Sequence, residues 1–318
     1  MPDKTNHLNQ EELTELITRI TLEVLEKASG ISRDTPSIPN DSIGGESIHA
    51  VSCECSGDDL SSCVSCGHCV VLRDDMGNII NAGADRVSSR PGMKGISIPL
   101  AQFIDHTLLK PDVTESDLRI LCDEALKHKF ASVCVNSGNV PLVAKLLKGS
   151  DISTTAVVGF PLGAMSTAVK TAETKDAVES GADEIDMVLN IGALKSKAFD
   201  IVFADIHSVV EAAEGRIVKV ILETALLEYI EKIAACILSK AAGAHFVKTS
   251  TGFGPKGATV EDVKLMRKIV GSDIGVKASG GIRDRDTACK MIEAGATRIG
   301  ASASVGIVKG ESAKGAGY

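Results

Sequence analysis

The sequence of 318 residues contains no tryptophan, and aromatic residues make up only 3% of it. Such a chain offers few rings on which single-stranded nucleic acid could stack. Basic residues are also in the minority, since 34 Lys and Arg face 42 Asp and Glu, and the net charge is −8. An acidic protein repels polyanions. We therefore expect no nucleic-acid partner.

Long apolar runs are missing as well. No stretch approaches the roughly 20 residues that a membrane span needs, and the polar N-terminus MPDKTNHLNQ lacks the apolar segment of a signal peptide. We therefore expect no membrane partner and a cytoplasmic location, where thiols stay reduced. With 44% hydrophobic and 24% charged residues, the composition is that of a globular protein.

Charge and cysteine divide the chain into an extension and a main body. Residues 1–96 carry a net charge of −7, whereas residues 97–318 carry −1. Five of the nine cysteines fall between Cys53 and Cys69. We divide the chain into an amphipathic helix at 1–28, a linker at 29–48, a Cys-rich segment at 49–96 and a catalytic domain at 97–318.

Short β-branched segments recur in the catalytic domain and alternate with helical patterns. Their starts are 23 to 32 residues apart, and several helical patterns end in a glycine that suits a left-handed C-cap. This alternation indicates a parallel sheet with right-handed crossovers. Eight units predict a (β/α)8 TIM barrel; the alternative is an open doubly wound sheet, although no GxGxxG follows the first strand. The expected strands begin at Phe103, Ala131, Thr154, Glu184, Arg216, His245, Ile274 and Thr297.

Charged residues interrupt these strands. They are Asp105, Asp186, Lys219, Glu223, Lys248 and Lys277. Barrel active sites lie at the C-terminal ends of the strands, so we expect these side chains around one mouth. Repulsion between two lysines on neighbouring strands, together with desolvation, lowers the pKa of one amine. A neutral amine attacks carbonyls and forms a Schiff base, while nearby carboxylates move protons. The alternative is a salt-bridged interior without chemistry.

Glycine-rich turns follow the last three expected strands, at residues 249–254, 279–283 and 300–304. Backbone N–H groups in such turns bind phosphate, and in TIM barrels the last two loops commonly hold one. An amine and a phosphate site together predict Schiff-base chemistry on a sugar phosphate.

These motifs together resemble the deoxyribose-phosphate aldolases, a family of class I aldolases with the TIM-barrel fold. The matching stretches cover nearly all of residues 97–318 and include FIDHTLLKPD, VVGFPLGA, DEIDMVLNIGAL, HFVKTSTGFGPKGAT and VKASGGIRD. The resemblance implies reversible cleavage of 2-deoxy-D-ribose 5-phosphate into D-glyceraldehyde 3-phosphate and acetaldehyde, with no cofactor for catalysis. The alternatives are a Schiff-base aldolase for a different sugar phosphate, and a non-enzymatic metal-binding scaffold with a degenerate barrel.

The resemblance also implies roles for individual residues. Lys248 is the Schiff-base lysine, Lys277 is the lysine that perturbs it, and Asp186 is the proton-relay carboxylate. Tyr318, the last residue of a flexible tail, would act in protonation of the acetaldehyde enamine. Four further residues would line the substrate site: Asp105, Cys134, Lys219 and Thr249.

The chain departs from the family on the phosphate side. Some members carry Lys after TSTG, where this sequence has Phe253, and Ala303 stands where a second serine is common. We therefore expect phosphate to bind to backbone amides, with help from one serine and one arginine. The expected phosphate-binding residues are Gly252, Gly280, Gly281, Arg283, Gly300 and Ser302.

The extension holds a dense cysteine cluster that predicts a metal site. Two CxxC motifs that share a cysteine suit Zn²⁺ or an iron–sulfur cluster, because thiolates separated by two residues can bind the same ion. The alternative is a reduced or redox-sensitive segment. The candidate ligands are Cys53, Cys55, Cys63, Cys66 and Cys69.

Residues 8–28 form an amphipathic pattern whose apolar face must be buried against something. The candidates are its own barrel, a sister subunit of a homo-oligomer such as a dimer, and the shell of a bacterial microcompartment, because the segment resembles encapsulation peptides. A shell would retain acetaldehyde, which is volatile and reactive. A membrane surface is a weaker candidate, since the polar face is acidic. The apolar positions are Leu13, Leu16, Ile17, Ile20 and Val24.

Overall fold

Eight strands close into a barrel in chain order in the computed structural model, which describes residues 15, 18–23 and 99–311. Every neighbouring pair is parallel, and the last strand returns to the first. The predicted (β/α)8 barrel is therefore confirmed, and the open sheet is wrong. The strands are β1 Ile104–Leu108, β2 Ser132–Asn136, β3 Ser153–Val158, β4 Glu184–Val188, β5 Ile217–Ile221, β6 Phe246–Lys248, β7 Gly275–Ser279 and β8 Arg298–Ala301.

Helices connect the strands, and several begin at residues whose side chains accept hydrogen bonds from free backbone N–H groups. Thr114 forms a capping box with Asp117, and Asp284 accepts from the N–H of Thr287. The helices are α1 Glu115–His128, α2 Val140–Leu147, α3 Thr167–Glu179, α4 Ile191–Lys195, α5 Phe199–Ala212, α6 Tyr229–Ala241, α7 Val260–Val270, α8 Arg285–Glu293 and α9 Ser304–Lys309. Short 3-10 turns lie at Leu100–Phe103, Ser137–Asn139 and Thr224–Leu226.

The main hydrophobic core lies between the sheet and the surrounding helices. On β4, for example, Ile185 and Met187 belong to this core, while Glu184 and Asp186 alternate with them and form ion pairs with residues of other strands. Successive side chains of a strand point to opposite faces of the sheet, so this alternation places the polar side chains in the interior of the barrel. Most TIM barrels fill that interior with branched apolar side chains. Here charged side chains occupy it and form the candidate site.

Part of the predicted N-terminal helix is also described. Residues 18–23 are helical. Ile20 is buried in the same hydrophobic cluster as Leu100 and Phe103 of the barrel domain, whereas Leu22 is 57% exposed. Over the described residues, no helix is long and apolar enough to cross a membrane. The five candidate cysteine ligands and Tyr318 lie outside the described residues.

Candidate functional site

Lys248 and Lys277 stand opposite each other on β6 and β7, as the strand register requires. Both side chains are buried. The Nζ atom of Lys248 lies 2.8 Å from Oδ2 of Asp186, and Nζ of Lys277 lies 2.7 Å from the same oxygen. One carboxylate oxygen therefore receives hydrogen bonds from both lysines.

A third lysine reaches the other oxygen of that carboxylate. Nζ of Lys219 on β5 lies 2.7 Å from Oδ1 of Asp186. Asp105 on β1 forms an ion pair with Lys277 from the opposite side. The closed barrel thus brings together five of the residues expected from the sequence, although β1 and β7 are far apart along the chain.

Two charged residues of this interior were missed by the sequence analysis. Glu184, the first residue of β4, lies 2.5 Å from Nζ of Lys219. Arg298, the first residue of β8, lies 2.6 Å from Asp105 and 3.3 Å from Glu184. Strand periodicity was the signal that could have found Glu184, because it precedes Asp186 by two residues and shares its face.

Burial and neighbouring charges separate the pKa values of the three lysines. Burial lowers the pKa of Lys248, and the cation of Lys277 lowers it further against the attraction of Asp186. Burial also acts on Lys277, but the carboxylates of Asp105 and Asp186 outweigh it and hold the pKa above its usual value. For Lys219 the carboxylates of Asp186 and Glu184 likewise outweigh burial and raise the pKa. Among the three, Lys248 is the amine most readily deprotonated.

The carboxylates respond in the opposite direction. Burial alone would raise the pKa of Asp186, but the cations of Lys219, Lys248 and Lys277 hold it well below its usual range. For Asp105, Arg298 and the lysines outweigh burial in the same way and lower the pKa. Both carboxylates are therefore ionised across the physiological pH range.

Cys134 and Thr249 were expected to line the site. Cys134 is buried in a small apolar cluster with Leu109 and Val157, and burial raises the pKa of its thiol, so the group is neutral. Thr249 donates its hydroxyl to the carbonyl of Ser279 over 2.9 Å and accepts the N–H of Ser279 over 3.0 Å. Its hydroxyl therefore links the end of β6 to the end of β7, just after Lys248 and Lys277 in the two strands.

A cavity opens between the loops that follow β7 and β8, with about 280 Å³ of space that includes open solvent. Gly280 and Gly281 have positive φ angles of 87° and 75°, a conformation that glycine adopts without steric cost. Five of the six expected phosphate-binding residues line this cavity, but Gly252 does not. The lining residues are Gly280, Gly281, Ile282, Arg283, Gly300, Ala301 and Ser302.

Gly252 belongs to loop 6, residues 249–259, which packs against Gly280 outside the cavity lining. The N–H of Ala258 donates to the carbonyl of Gly280 over 3.0 Å. A Cβ atom on Gly257 would lie 2.1 Å from that carbonyl oxygen, so only glycine fits there. Loop 6 therefore supports the cavity rather than forming its wall at Gly252.

Glu223 holds the other end of loop 6. It follows β5 in a left-handed conformation, with φ 53° and ψ 61°. Its buried Oε2 accepts the N–H of Thr251 over 3.1 Å and also a short hydrogen bond from the hydroxyl of Thr251. That hydroxyl in turn accepts the N–H of Phe253 over 3.0 Å. Loop 6 is thus fixed between β5 and the cavity.

His106, by contrast, faces away from the lysines. Its Nε2 lies 2.8 Å from Oε2 of Glu124 on α1, and its ring packs on Phe130 at a centroid distance of 5.0 Å. Within the part of the chain that the structure describes, no group of His, Cys, Asp or Glu side chains has the arrangement of a metal site. These residues offer a buried amine, a carboxylate hydrogen-bonded to it and a cavity lined by glycines, an arginine and a serine.

The domain that carries this site is similar to known aldolases. Residues 100–313 match the model of the DeoC/LacD family aldolases. A protein named deoxyribose-phosphate aldolase from Clostridium novyi is 59% identical over 220 residues, which are 69% of this chain and 99% of that protein. One of the same name from Alkaliphilus oremlandii is 60% identical over 220 residues, with the same coverage.

A solved structure also shows the similarity to aldolases. A tetrameric deoxyribose-phosphate aldolase from Aeropyrum pernix is 33% identical, with a TM-score of 0.63, over 74% of this chain and 97% of that one. The curated relatives are matched over nearly their whole length.

Proposed function

The chain belongs to the DeoC/LacD family of aldolases, and we propose that it cleaves 2-deoxy-D-ribose 5-phosphate reversibly into D-glyceraldehyde 3-phosphate and acetaldehyde. The observation that carries the proposal is the contact of Lys248 and Lys277 with one oxygen of Asp186, beside a cavity suited to an anion. An amine whose pKa is lowered by burial and by a neighbouring cation is the nucleophile that a class I aldolase needs.

In the proposed reaction the neutral amine of Lys248 adds to the C1 aldehyde and forms a carbinolamine. Loss of water then gives the protonated imine. Asp186 accepts a hydrogen bond from Nζ of Lys248, so it is placed to accept and return the protons of these steps, directly or through a water molecule. Lys277 stays charged and favours the neutral form of Lys248.

Bond cleavage follows at C2–C3. The C3 hydroxyl loses its proton, glyceraldehyde 3-phosphate leaves as the new carbonyl, and the electron pair of the broken bond moves into the imine to form an enamine. Protonation at C2 gives the acetaldehyde imine, a step to which we assign Tyr318 on the strength of the family resemblance. Hydrolysis of that imine releases acetaldehyde and restores Lys248. The protonated imine is itself the electron sink, so this chemistry needs no cofactor.

The phosphate is proposed to bind between the loops after β7 and β8. Gly280 and Gly281 leave backbone groups unobstructed there, and Arg283 and Ser302 add side-chain donors. Asp105, Cys134, Lys219 and Thr249 are assigned to the substrate end of the site. Gly300 completes the lining of the cavity, whereas Gly252 belongs to loop 6, which packs against that lining from outside.

The extension is proposed to serve location and assembly rather than catalysis. The apolar face of residues 8–28 and the following linker suit packaging in a microcompartment shell, whereas the burial of Ile20 in the hydrophobic cluster of the barrel domain favours docking on that domain. A Zn²⁺ or iron–sulfur site at the five cysteines stays a prediction. A homo-oligomeric state is proposed by analogy with the tetrameric relative.

Borohydride trapping tests the proposed reaction. The full chain is incubated with 2-deoxyribose 5-phosphate, reduced, digested and analysed by mass spectrometry. We expect an adduct on Lys248 that is lost in Lys248→Ala and kept in Lys175→Ala, which replaces an exposed lysine. A saturated, folded protein without an adduct would contradict the substrate assignment. Profiling of donor and acceptor aldehydes would then separate this function from an aldolase for another sugar phosphate.

A further inference from the structure

The charged side chains inside the barrel form a closed ring. Each member contacts an oppositely charged neighbour on either side, so three cations alternate with three carboxylates. The contacts measure between 2.5 and 3.3 Å, apart from the shorter pair of Lys277 with Asp105. The ring runs from Asp186 to Lys277, Asp105, Arg298, Glu184 and Lys219, and back to Asp186.

Lys248 lies outside this ring and touches it at one point. Its Nζ contacts Oδ2 of Asp186, an oxygen that already accepts from Lys277. The six ring members carry equal numbers of positive and negative charges, so the ring is neutral without Lys248. A proton on Lys248 would place a seventh, uncompensated charge in a buried site, which is costly.

The other groups that face Lys248 do not change this balance. Cys134 on β2 is a neutral thiol, because burial raises its pKa. Lys277 on β7 and Lys219 on β5 are cations that belong to the ring, and Asp105 on β1 and Asp186 on β4 are its carboxylates. Arg298 and Glu184 close the ring at the N-terminal ends of β8 and β4, where neither touches Lys248.

We propose that Glu184 and Arg298 are positioning residues that close a neutral ring of charges and thereby set the pH at which Lys248 becomes an uncharged nucleophile, with Arg298 favouring the uncharged amine and Glu184 opposing it. This inference rests on the proposed role of Lys248 in the reaction. Arg298 acts through its ion pair with Asp105, which in turn contacts Lys277. Glu184 acts through its ion pair with Lys219. Lys277 contacts Oδ2 of Asp186 and Lys219 contacts Oδ1, so both series of ion pairs end at this carboxylate. Removal of either residue leaves the ring charged, with opposite sign in the two cases.

The two variants therefore have opposite expected effects. In Glu184→Gln the ring gains a net positive charge, which disfavours the protonated form of Lys248 and moves its titration to lower pH. In Arg298→Met the ring gains a net negative charge, which favours protonated Lys248 and moves the titration to higher pH. Each shift is expected to be about one pH unit, because a single buried charge near a titrating group has an effect of this size.

Trace acylation by acetic anhydride measures this titration without any substrate. The rate of acetylation at Lys248 is followed by mass spectrometry from pH 5 to 10, and the acid limb of kcat/KM is measured in parallel. Arg298→Lys keeps the charge and should restore the wild-type midpoint. The matched controls are Glu115→Gln and Arg119→Met, which remove the same two charges from an exposed ion pair of 2.7 Å on α1.

Midpoints that coincide with the wild type, or that move in the same direction in both variants, would overturn the proposal. If Arg298→Met does not fold, Arg298→Gln and the Glu184 variant decide the question. Failure of the proposed function looks different: the wild type would form no imine with the sugar phosphate, while the acylation midpoints would still move in opposite directions.

Discussion

Lys248 and Lys277 face each other across neighbouring strands and donate hydrogen bonds to the same oxygen of Asp186, over 2.8 and 2.7 Å. Their situations differ because Lys277 also contacts Asp105, whereas Lys248 has no second carboxylate within 4.0 Å among the described residues. The shared oxygen therefore holds two amines of unequal pKa, lowered for Lys248 and raised for Lys277. This asymmetry supports the proposal that Lys248, and not Lys277, is the nucleophile.

Replacement of Lys277 by Met should impair the reaction through the charge of Lys248. Without the neighbouring cation, Oδ2 of Asp186 pairs with Lys248 alone and the pKa of Lys248 rises, so the acid limb of kcat/KM should move to higher pH. We expect kcat at neutral pH to fall by about a hundredfold or more, the usual scale for loss of a properly protonated catalytic group. Steady-state rates from pH 5 to 10 measure both effects. Lys175→Met is the exposed control, and an unmoved acid limb would refute the explanation.

Replacement of Arg283 by Gln should weaken binding of the phosphorylated substrate specifically. The side chain lines the cavity after β7 and is exposed, so the loss of one charge-assisted contact should raise KM by about tenfold while kcat changes little. The variant should bind unphosphorylated 2-deoxyribose as the wild type does. Arg285→Gln removes the same charge two residues away, outside the cavity lining. An equal rise in KM for both substrates would show that Arg283 does not bind the phosphate.

Glu223 and Gly254 should be coupled energetically. A Cβ atom on Gly254 would lie 2.7 Å from Oε1 of Glu223, so Gly254→Ala should displace loop 6, lower the melting temperature and raise KM. Glu223→Ala should also raise KM, because Thr251 loses its acceptor. In the double variant the clash is gone, and the combined effect should be smaller than the sum of the single effects.

Thermal melts and KM values for the single and double variants measure this coupling. Gly138→Ala is the matched glycine control, since a Cβ atom there meets nothing within 4 Å. Strictly additive effects of the two substitutions would contradict the contact between Glu223 and loop 6.

A buried ion pair outside the barrel interior should matter for stability rather than for chemistry. Nζ of Lys170 on α3 lies 2.5 Å from Asp205 on α5 and donates to the carbonyl of Val188 over 2.9 Å. Lys170→Met leaves a buried carboxylate without its cation, so the free energy of unfolding should fall by about 3 kcal/mol. Urea denaturation measures this change. Arg119→Met, in an exposed pair, should cost less than about 1 kcal/mol, and a similar small loss for Lys170→Met would contradict the prediction.

Part of the site could be read from local sequence patterns. Strand spacing predicted all eight strands, and the motifs around Lys248, Lys277 and Asp186 gave three polar residues of the barrel interior. Of these, only Lys248 ends its strand, whereas Asp186 and Lys277 lie in the middle of β4 and β7. Glu184 and Arg298 were not predicted because they begin their strands, whereas barrel active sites lie at the C-terminal ends of strands. The contact of Glu223 with Thr251 was also missed, since a left-handed residue after a strand has no clear sequence signal.

Alternation along each strand depends only on near neighbours, so the sequence by itself determined which side chains share the inner face of the barrel. It also determined the succession of strands and helices, and the glycine turns after the last strands. Closure of the sheet is a long-range event that pairs β8 with β1. Only the tertiary structure could therefore bring Arg298 to Asp105, 193 residues away in the chain, and complete the ring that leaves Lys248 without a compensating charge.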